Sequence, residues 1–332
     1  MRLLSGRDVA RSIDMSEAIL AVRQAFVQLA TGRADVPVRT PIPIAACDGL
    51  TLFMPAYLTA SAALGCKVVS VRPRNPDRGM PLIAALVVLI DEATGSPTAM
   101  LEGSYLTALR TGAVSGVATD LLARPDSRVL ACYGAGVQAA TQVEAVCSVR
   151  PIERVWVRSR SAETARRFAD HVAGRRGVPA DVRVADDPAQ PLSEADIVCT
   201  ATTSRTPVFD GHALRPGTHI NAVGSYTPGM REVDAETVRR ARVVVDTRAG
   251  CSAEAGDLIA ARSEGAVGSA ETWAELGSVL AGLAPGRRSA DEITYFKSVG
   301  NAAQDVAVAL RALREAERLG LGLSFEMGSG AS

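Results

Sequence analysis

Residues 128–139 constrain this chain more than any other stretch. They run Arg-Val-Leu-Ala-Cys-Tyr-Gly-Ala-Gly-Val-Gln-Ala and lead into helix formers through Val149. An apolar run that meets a glycine pair and then an amphipathic segment predicts a strand, a tight turn and a helix. Gly134 permits the turn, Gly136 lets backbone approach a pyrophosphate, and Ala139 lets the helix pack close to the sheet. The unpaired N–H groups and dipole at that helix start favour phosphate. A glycine pattern of this kind is weak by itself. Here a second β-like run, residues 155–157, follows after one helix, the spacing of a βαβ unit. The competing reading is a glycine-rich strand-to-helix turn that holds no ligand.

The end of that second run bears on the cofactor. A carboxylate there would bind the adenosine ribose 2′-OH and favour NAD(H). The chain has Arg158, Ser159, Arg160 and Ser161 instead. Guanidinium and hydroxyl groups suit a 2′-phosphate, so NADP(H) is the preferred cofactor and NAD(H) the second candidate. A solvated basic turn is the bland alternative.

The basic residues are unevenly chosen. Of 36, only Lys67 and Lys297 are lysine. A lysine kept where arginine is the rule marks a place that a guanidinium does not suit. Lys67 lies among apolar residues on a predicted strand, where an ammonium needs an anionic partner or a proton-transfer role. Chance retention is the alternative.

At 332 residues the chain suits one large α/β domain or two moderate ones. Its formal charge is zero and aromatics make up 4%, which argues against nucleic acid and an anionic membrane surface. No apolar stretch has membrane-spanning length and residues 1–6 lead straight into a helical pattern with no signal peptide, so a cytoplasmic protein is expected. The six cysteines (47, 66, 132, 147, 199 and 251) are scattered, mostly in apolar runs, and read as buried thiols. His171, His212 and His219 form no ligand spacing, so no metal is expected.

Residues 15–31 predict an amphipathic helix with Ser16 as a cap. Apolar runs at 51–54, 66–71 and 82–90 predict a mostly antiparallel sheet, with a turn at 91–95. A long helix is expected over 104–123, ended by Arg124, Pro125 and Asp126. From 127 to about 247 strands and helices alternate, with strands at 129–133, 155–157, 182–184, 197–200, 219–223 and 243–246. That pattern predicts a doubly wound parallel sheet. A last helix over about 301–319 returns to the first domain, and the Gly/Ser-rich tail from 320 to 332 is expected to fray. The domains are thus 1–124 with 300–332, for substrate, and 125–299, a Rossmann domain for the dinucleotide.

Arg39, Lys67 and Arg110 fall on apolar or small-residue segments of the first domain. Converging cations without nearby acids make a carboxylate receptor; salt bridges to acids elsewhere are the alternative. Thr111, Gly112 and Ala113 leave room beside Arg110 for a ligand or another domain. Residues 294–305 place small side chains, Gln304 and Asp305 just before the last helix, either to seat a ligand or to pack helices.

With these pieces in place the chain resembles the ornithine cyclodeaminase/mu-crystallin family. The matching segments are Met54-Pro55, the Lys67 strand, Leu109 to Ala113, Gly134 to Ala139, Val198 to Thr202, Ile220 to Ser225 with Arg231-Glu232, and Lys297 to Gly300. The resemblance implies a homodimer built from a substrate-binding α+β domain and a Rossmann domain. It places the carboxylate clamp on Arg39, Lys67 and Arg110. It places cofactor contacts on Ala135, Val137, Gln138, Ser159, Arg160, Ser161, Thr200, Ala201, Thr202, Val223, Ser298 and Val299, beside Gly134 and Gly136. Ornithine cyclodeaminases carry acids at the positions of Leu52 and Tyr226, so this chain sits nearer the ketimine-reductase branch.

The expected activity is that of an oxidoreductase, an NADPH-dependent reductase of 2-imino acids or, in reverse, an amino-acid dehydrogenase. Lys67 and Arg110 are the expected catalytic residues; Arg39, Met54 and Tyr226 complete the substrate site. The partners are a small imino, amino or keto acid and a second copy of the chain. Two alternatives stand: an ornithine or lysine cyclodeaminase using bound NAD, and a non-catalytic small-ligand-binding protein. Segments 72–80 and 250–290 are candidate covering loops.

Overall fold

The computed structural model describes residues 1–326. It forms two compact units, Met1–Arg110 with the chain from Asn301 onward, and Thr111–Gly300. Among the described residues no helix is long and apolar enough to cross a membrane.

The first unit is built on an eight-stranded sheet. Its order is Leu323–Ser324, Arg2–Leu4, Pro97–Glu102, Ile83–Ile90, Ala63–Val71, Gly49–Leu58 and Ala34–Asp35, with Thr40–Ile44 also paired to Gly49–Leu58. Every pairing is antiparallel except that of Arg2–Leu4 with Pro97–Glu102. Met54, Lys67, Val87 and Leu101 stand opposite one another on four adjacent strands. Side chains alternate along a strand, so these four share a face, and all four are buried. Helix Ala302–Arg318 packs on the first three of these strands and on helix Met15–Ala30. It turns Val306, Ala309, Leu313 and Ala316 inward at helical spacing.

Two expectations change here. Helix Met15–Ala30 is capped by Asp14, whose carboxylate accepts from Glu17 N at 2.9 Å. Ser16 lies inside the first turn, where its backbone is already helical. The tail is ordered at least through its first part: Leu323–Ser324 pairs with Arg2 and Leu3, and Phe325 donates its N–H to Met1 O at 2.8 Å. The remainder of the expected fraying tail, residues 327–332, lies outside the described residues.

The second unit holds an all-parallel sheet in the order Val182–Val184, Arg154–Arg158, Val129–Tyr133, Ile197–Thr200, His219–Ala222, Ile293–Lys297, Ala241–Val245 and Ala274–Glu275. Leu130 and Cys132 enter one apolar cluster, with helices Val137–Val149 and Ala162–Val172. Ala131 and Tyr133 enter another on the opposite face. A sheet covered on both faces is the doubly wound arrangement the alternation predicts.

The sequence reading misses the strand Ile293–Lys297, treating its residues as the approach to the last helix. All five are buried, in the middle of the sheet. A strand buried on both faces shows no alternation to read. Segment 250–290 is not one loop: helices Arg248–Glu254, Gly256–Ser263 and Leu276–Leu280 interrupt it. Of the cysteines, Cys132, Cys199 and Cys251 are buried; Cys47, Cys66 and Cys147 are only partly covered.

Candidate functional site

In the first unit the sheet and the last helix bring together the cations singled out in the sequence. Lys67 is 1% exposed and Arg110 7%. Both reach the fully buried Asp305: Lys67 Nζ lies 2.7 Å from its Oδ2, and Arg110 Nε donates to its Oδ1 at 3.0 Å. Arg110 also donates to Gln304 Oε1 at 3.1 Å. Asp305 and Gln304 occupy the first turn of helix Ala302–Arg318, which Asn301 caps. The helix therefore fixes the carboxylate and the strand fixes the ammonium. The expectation of cations without nearby acids is corrected: one acid lies between two of them. Two cations sharing one carboxylate still leave the trio net positive.

Burial pulls the Lys67 ammonium down from its usual 10.5 to about 8. Arg110 and Arg39 push the same way, while Asp305 opposes them by charge and hydrogen bonding. Arg39 thus lies close enough for its field to reach Lys67. It precedes strand Thr40–Ile44 and is half-buried. Met54 stands directly opposite Lys67 on the same face. Tyr226 belongs to the second unit, where it packs half-buried against the apolar cluster beneath that sheet.

In the second unit the residues expected to touch cofactor sit in loops at the carboxyl ends of five neighbouring strands. Gly134 to Gln138 follow Val129–Tyr133, Ser159 to Ser161 follow Arg154–Arg158, and Thr200 to Thr202 end Ile197–Thr200. Val223 follows His219–Ala222, and Ser298 and Val299 follow Ile293–Lys297. Backbone bonds continue the sheet into these loops: Gly134 N to Arg158 O at 2.9 Å, Ala201 N to Tyr133 O at 2.8 Å, Val223 N to Thr200 O at 3.1 Å and Ser298 N to Ala222 O at 3.2 Å.

The glycine turn fits a pyrophosphate. Gly134 has φ +123°, and a Cβ there would lie 2.5 Å from Ala201 O, so only glycine is accommodated. A Cβ at Gly136 would meet nothing within 4 Å, leaving backbone open to an approaching ligand. Gly136 precedes helix Val137–Val149, whose start has no side-chain cap, so its N–H groups and dipole remain available to an anion. Val137 is 74% exposed, whereas Ala139 is buried against the sheet.

At the second turn, Ser161 caps helix Ala162–Val172 by accepting from Thr164 N at 3.2 Å, which leaves its O–H to donate. Arg158 turns back to donate to Ser159 O at 2.9 Å. Arg160 is the exposed guanidinium of the pair.

Of the two neighbours expected beside Arg110, a ligand or another domain, Gly112 meets the second: helix Val137–Val149 of the dinucleotide domain. A Cβ there would fall 2.4 Å from Thr141 O, and Gln142 Nε2 donates to Thr111 O at 3.0 Å. The small residues beside Arg110 let helix Val137–Val149 approach, rather than a ligand.

The residues that sequence reading passed over are acids. Asp305 carries no assigned role in the sequence. Asp246 Oδ2 accepts from Ser298 Oγ at 2.7 Å, Val299 N at 2.9 Å and Gly300 N at 2.7 Å, holding the last of the five loops. Asp257 Oδ2 lies 2.9 Å from Lys297 Nζ, both fully buried. Glu232, also fully buried, bonds two more loops. One signal was available: Asp246 directly follows the run Val243-Val-Val245, where an acid must find donors. The two lysines end alike, each buried on a strand against an aspartate.

Known proteins resemble this chain over nearly its whole length. The sequence model of the ornithine cyclodeaminase/mu-crystallin family matches residues 2–318. A Delta(1)-pyrroline-2-carboxylate reductase of Bacillus cereus is 40% identical, over 98% of this chain and 100% of that protein. The solved Delta(1)-pyrroline-2-carboxylate reductase of Thermococcus litoralis, in complex with NADH and L-proline, is 42% identical. It superposes with a TM-score of 0.94 over 98% of this chain and 100% of its own. A solved archaeal alanine dehydrogenase dimer with bound NAD is 35% identical, with a TM-score of 0.91 over 99% of both chains.

Proposed function

The chain belongs to the ornithine cyclodeaminase/mu-crystallin family, and from that premise we propose an NADPH-dependent reductase of 2-imino acids. The observation that carries this reading is the buried trio of Lys67, Arg110 and Asp305, net positive and placed on rigid elements. Such a trio receives a carboxylate, with Arg110 able to bind it through its remaining N–H groups and Arg39 adding its charge. Arg39, Lys67, Arg110 and Met54 form the substrate-binding group of the first unit. The five loops of the second unit form the cofactor-binding group. When bound, the reduced nicotinamide supplies a hydride for the imine carbon.

Lys67 donates the proton. Its ammonium, with a pKa near 8, is a stronger acid than a free lysine and is still mostly protonated at neutral pH. Transfer of that proton to the imine nitrogen makes the adjacent carbon electrophilic. Solvent then returns a proton to the neutral amine. Asp305 keeps the ammonium in place and charged between turnovers. The cofactor preference follows from Arg160 and Ser161, which offer a charge and a hydroxyl at the helix start to a 2′-phosphate.

We also propose a homodimer through the uncovered face of the first unit's sheet. Leu64, Cys66, Val68, Leu86, Val88 and Ile90 are half-buried there, with Phe53 and Met100 exposed. An apolar face of that extent on one copy is suited to a partner, and the archaeal relative described as a dimer supports it.

The test is a panel of cyclic and open-chain 2-imino acids with NADPH and NADH, followed by nicotinamide absorbance and amino-acid analysis. Amino acid formed in step with cofactor oxidation is expected. No oxidation across the panel refutes the reading.

A further inference from the structure

Two of the cofactor loops hang on one carboxylate. Glu232 Oε1 accepts from Thr202 N at 2.6 Å and Thr202 Oγ1 at 2.8 Å. Its Oε2 accepts from Thr200 Oγ1 at 2.9 Å, Gly224 N at 2.7 Å and Ser225 N at 3.1 Å. The group is fully buried, so water does not compete for these five bonds. The loops belong to adjacent parallel strands, Ile197–Thr200 and His219–Ala222. A Cβ on Gly224 would fall 2.3 Å from Thr202 O and 2.4 Å from Glu232 Oε1. The loops close on the carboxylate only because that residue is glycine.

Glu232 is itself anchored. Asp257 Oδ1 accepts from Glu232 N at 2.7 Å and Val233 N at 3.2 Å. The other oxygen of Asp257 holds Lys297 Nζ, on the strand next to His219–Ala222. Lys297 thereby supplies counter-charge to an otherwise acidic cluster. A buried carboxylate is costly unless its acceptor sites are filled. Here every donor comes from residues at the carboxyl edge of the sheet, so the group orders that edge and nothing else.

We propose that Glu232 is a positioning residue for the dinucleotide, presetting residues 200–202 and 223–225 in the conformation that receives it. The inference rests on the reading of those loops as cofactor contacts. Glu232→Gln in the full chain is the direct test. An amide offers one acceptor atom where the carboxylate offers two, and its NH2 faces N–H donors, so one loop is released. Dissociation constants for NADPH and NADH should both rise about 10–100-fold, the scale of a lost charged hydrogen bond. KM for the imino acid should stay within a factor of about two, because the carboxylate trio is untouched. Glu232→Asp, which keeps the charge but reaches fewer donors, should fall between. Parental cofactor affinity in Glu232→Gln overturns the proposal.

Hydrogen exchange in the parent protein decides even where the variant does not fold. The amides of Thr202, Gly224 and Ser225 should be protected without cofactor, and gain little when NADPH is added. Fast exchange that slows only with NADPH means the ligand orders the loops, and overturns the role of Glu232. A parent that binds neither NADPH nor NADH removes the cofactor reading and this inference together. Normal parental binding with an unaffected variant removes Glu232 alone.

Discussion

Replacing Asp305 with asparagine should move the alkaline limb of the reaction. Lys67 Nζ stands 2.7 Å from the Asp305 carboxylate, and neither group is more than 1% exposed. At an effective dielectric of about 20, unit charges that close attract by about 6 kcal/mol. The full value is not recovered, because Arg110 shares the carboxylate and the amide oxygen of asparagine still accepts a hydrogen bond. A net loss of about 3–4 kcal/mol lowers the Lys67 pKa by roughly 2–3 units. The parent value is about 8. On the proposed mechanism protonated Lys67 donates, so kcat/KM for imine reduction should be level below pH 8 and fall above it. In Asp305→Asn the fall should begin roughly 2–3 units lower. At neutral pH the variant should be about 10–100-fold slower, and it should recover as the pH is lowered. The assay is the pH profile of kcat/KM from nicotinamide absorbance, with saturating NADPH. A limb that stays near pH 8 refutes the assignment, and so does a loss that is uniform across the profile.

Arg160→Ala should weaken NADPH about 10–100-fold and NADH much less, measured by titration; equal losses for the two cofactors would sink the 2′-phosphate reading. Lys67→Arg should lose at least about 10²-fold in kcat/KM, nearly as much as Lys67→Ala, because a guanidinium releases no proton near neutrality. Near-parental activity in that variant would leave Lys67 a structural partner of Asp305. Incubation with ornithine and catalytic NAD should yield no proline or ammonia at a meaningful rate, since apolar Leu52 and phenolic Tyr226 stand where cyclodeaminases carry acids. Acid stability should depend on His219, which is buried between Thr294 and Asn221. Burial lowers its pKa to about 3, so between that value and about 6.5 the unfolded chain binds the extra proton and stability falls with pH. The full loss is about 5 kcal/mol, and His219→Gln should flatten the fall in thermal unfolding curves between pH 6 and 4.

Much of this protein is legible in its sequence, because local chemistry decides it. The glycine turn at 134–136 requires a positive φ and an open approach, and only that backbone can supply them. Alternating strands and helices from Val129 require a covered parallel sheet. The scarcity of lysine draws attention to Lys67 and Lys297 before any fold is known. The rest depends on residues far apart in the chain. Ile293–Lys297 cannot be read as a central strand from its own letters, since burial on both faces erases periodicity. The partnership of Lys67 and Arg110 with Asp305 joins positions about two hundred residues apart. Glu232 and Asp246 look like ordinary acids until the parallel sheet brings five loops to one edge, where loop donors meet these two carboxylates. Sequence therefore determined which groups could carry charge, turn tightly or enter a core. Only the tertiary structure decided which charges share a partner, because a buried ion pair is set by packing across the fold and not by its neighbours in the chain.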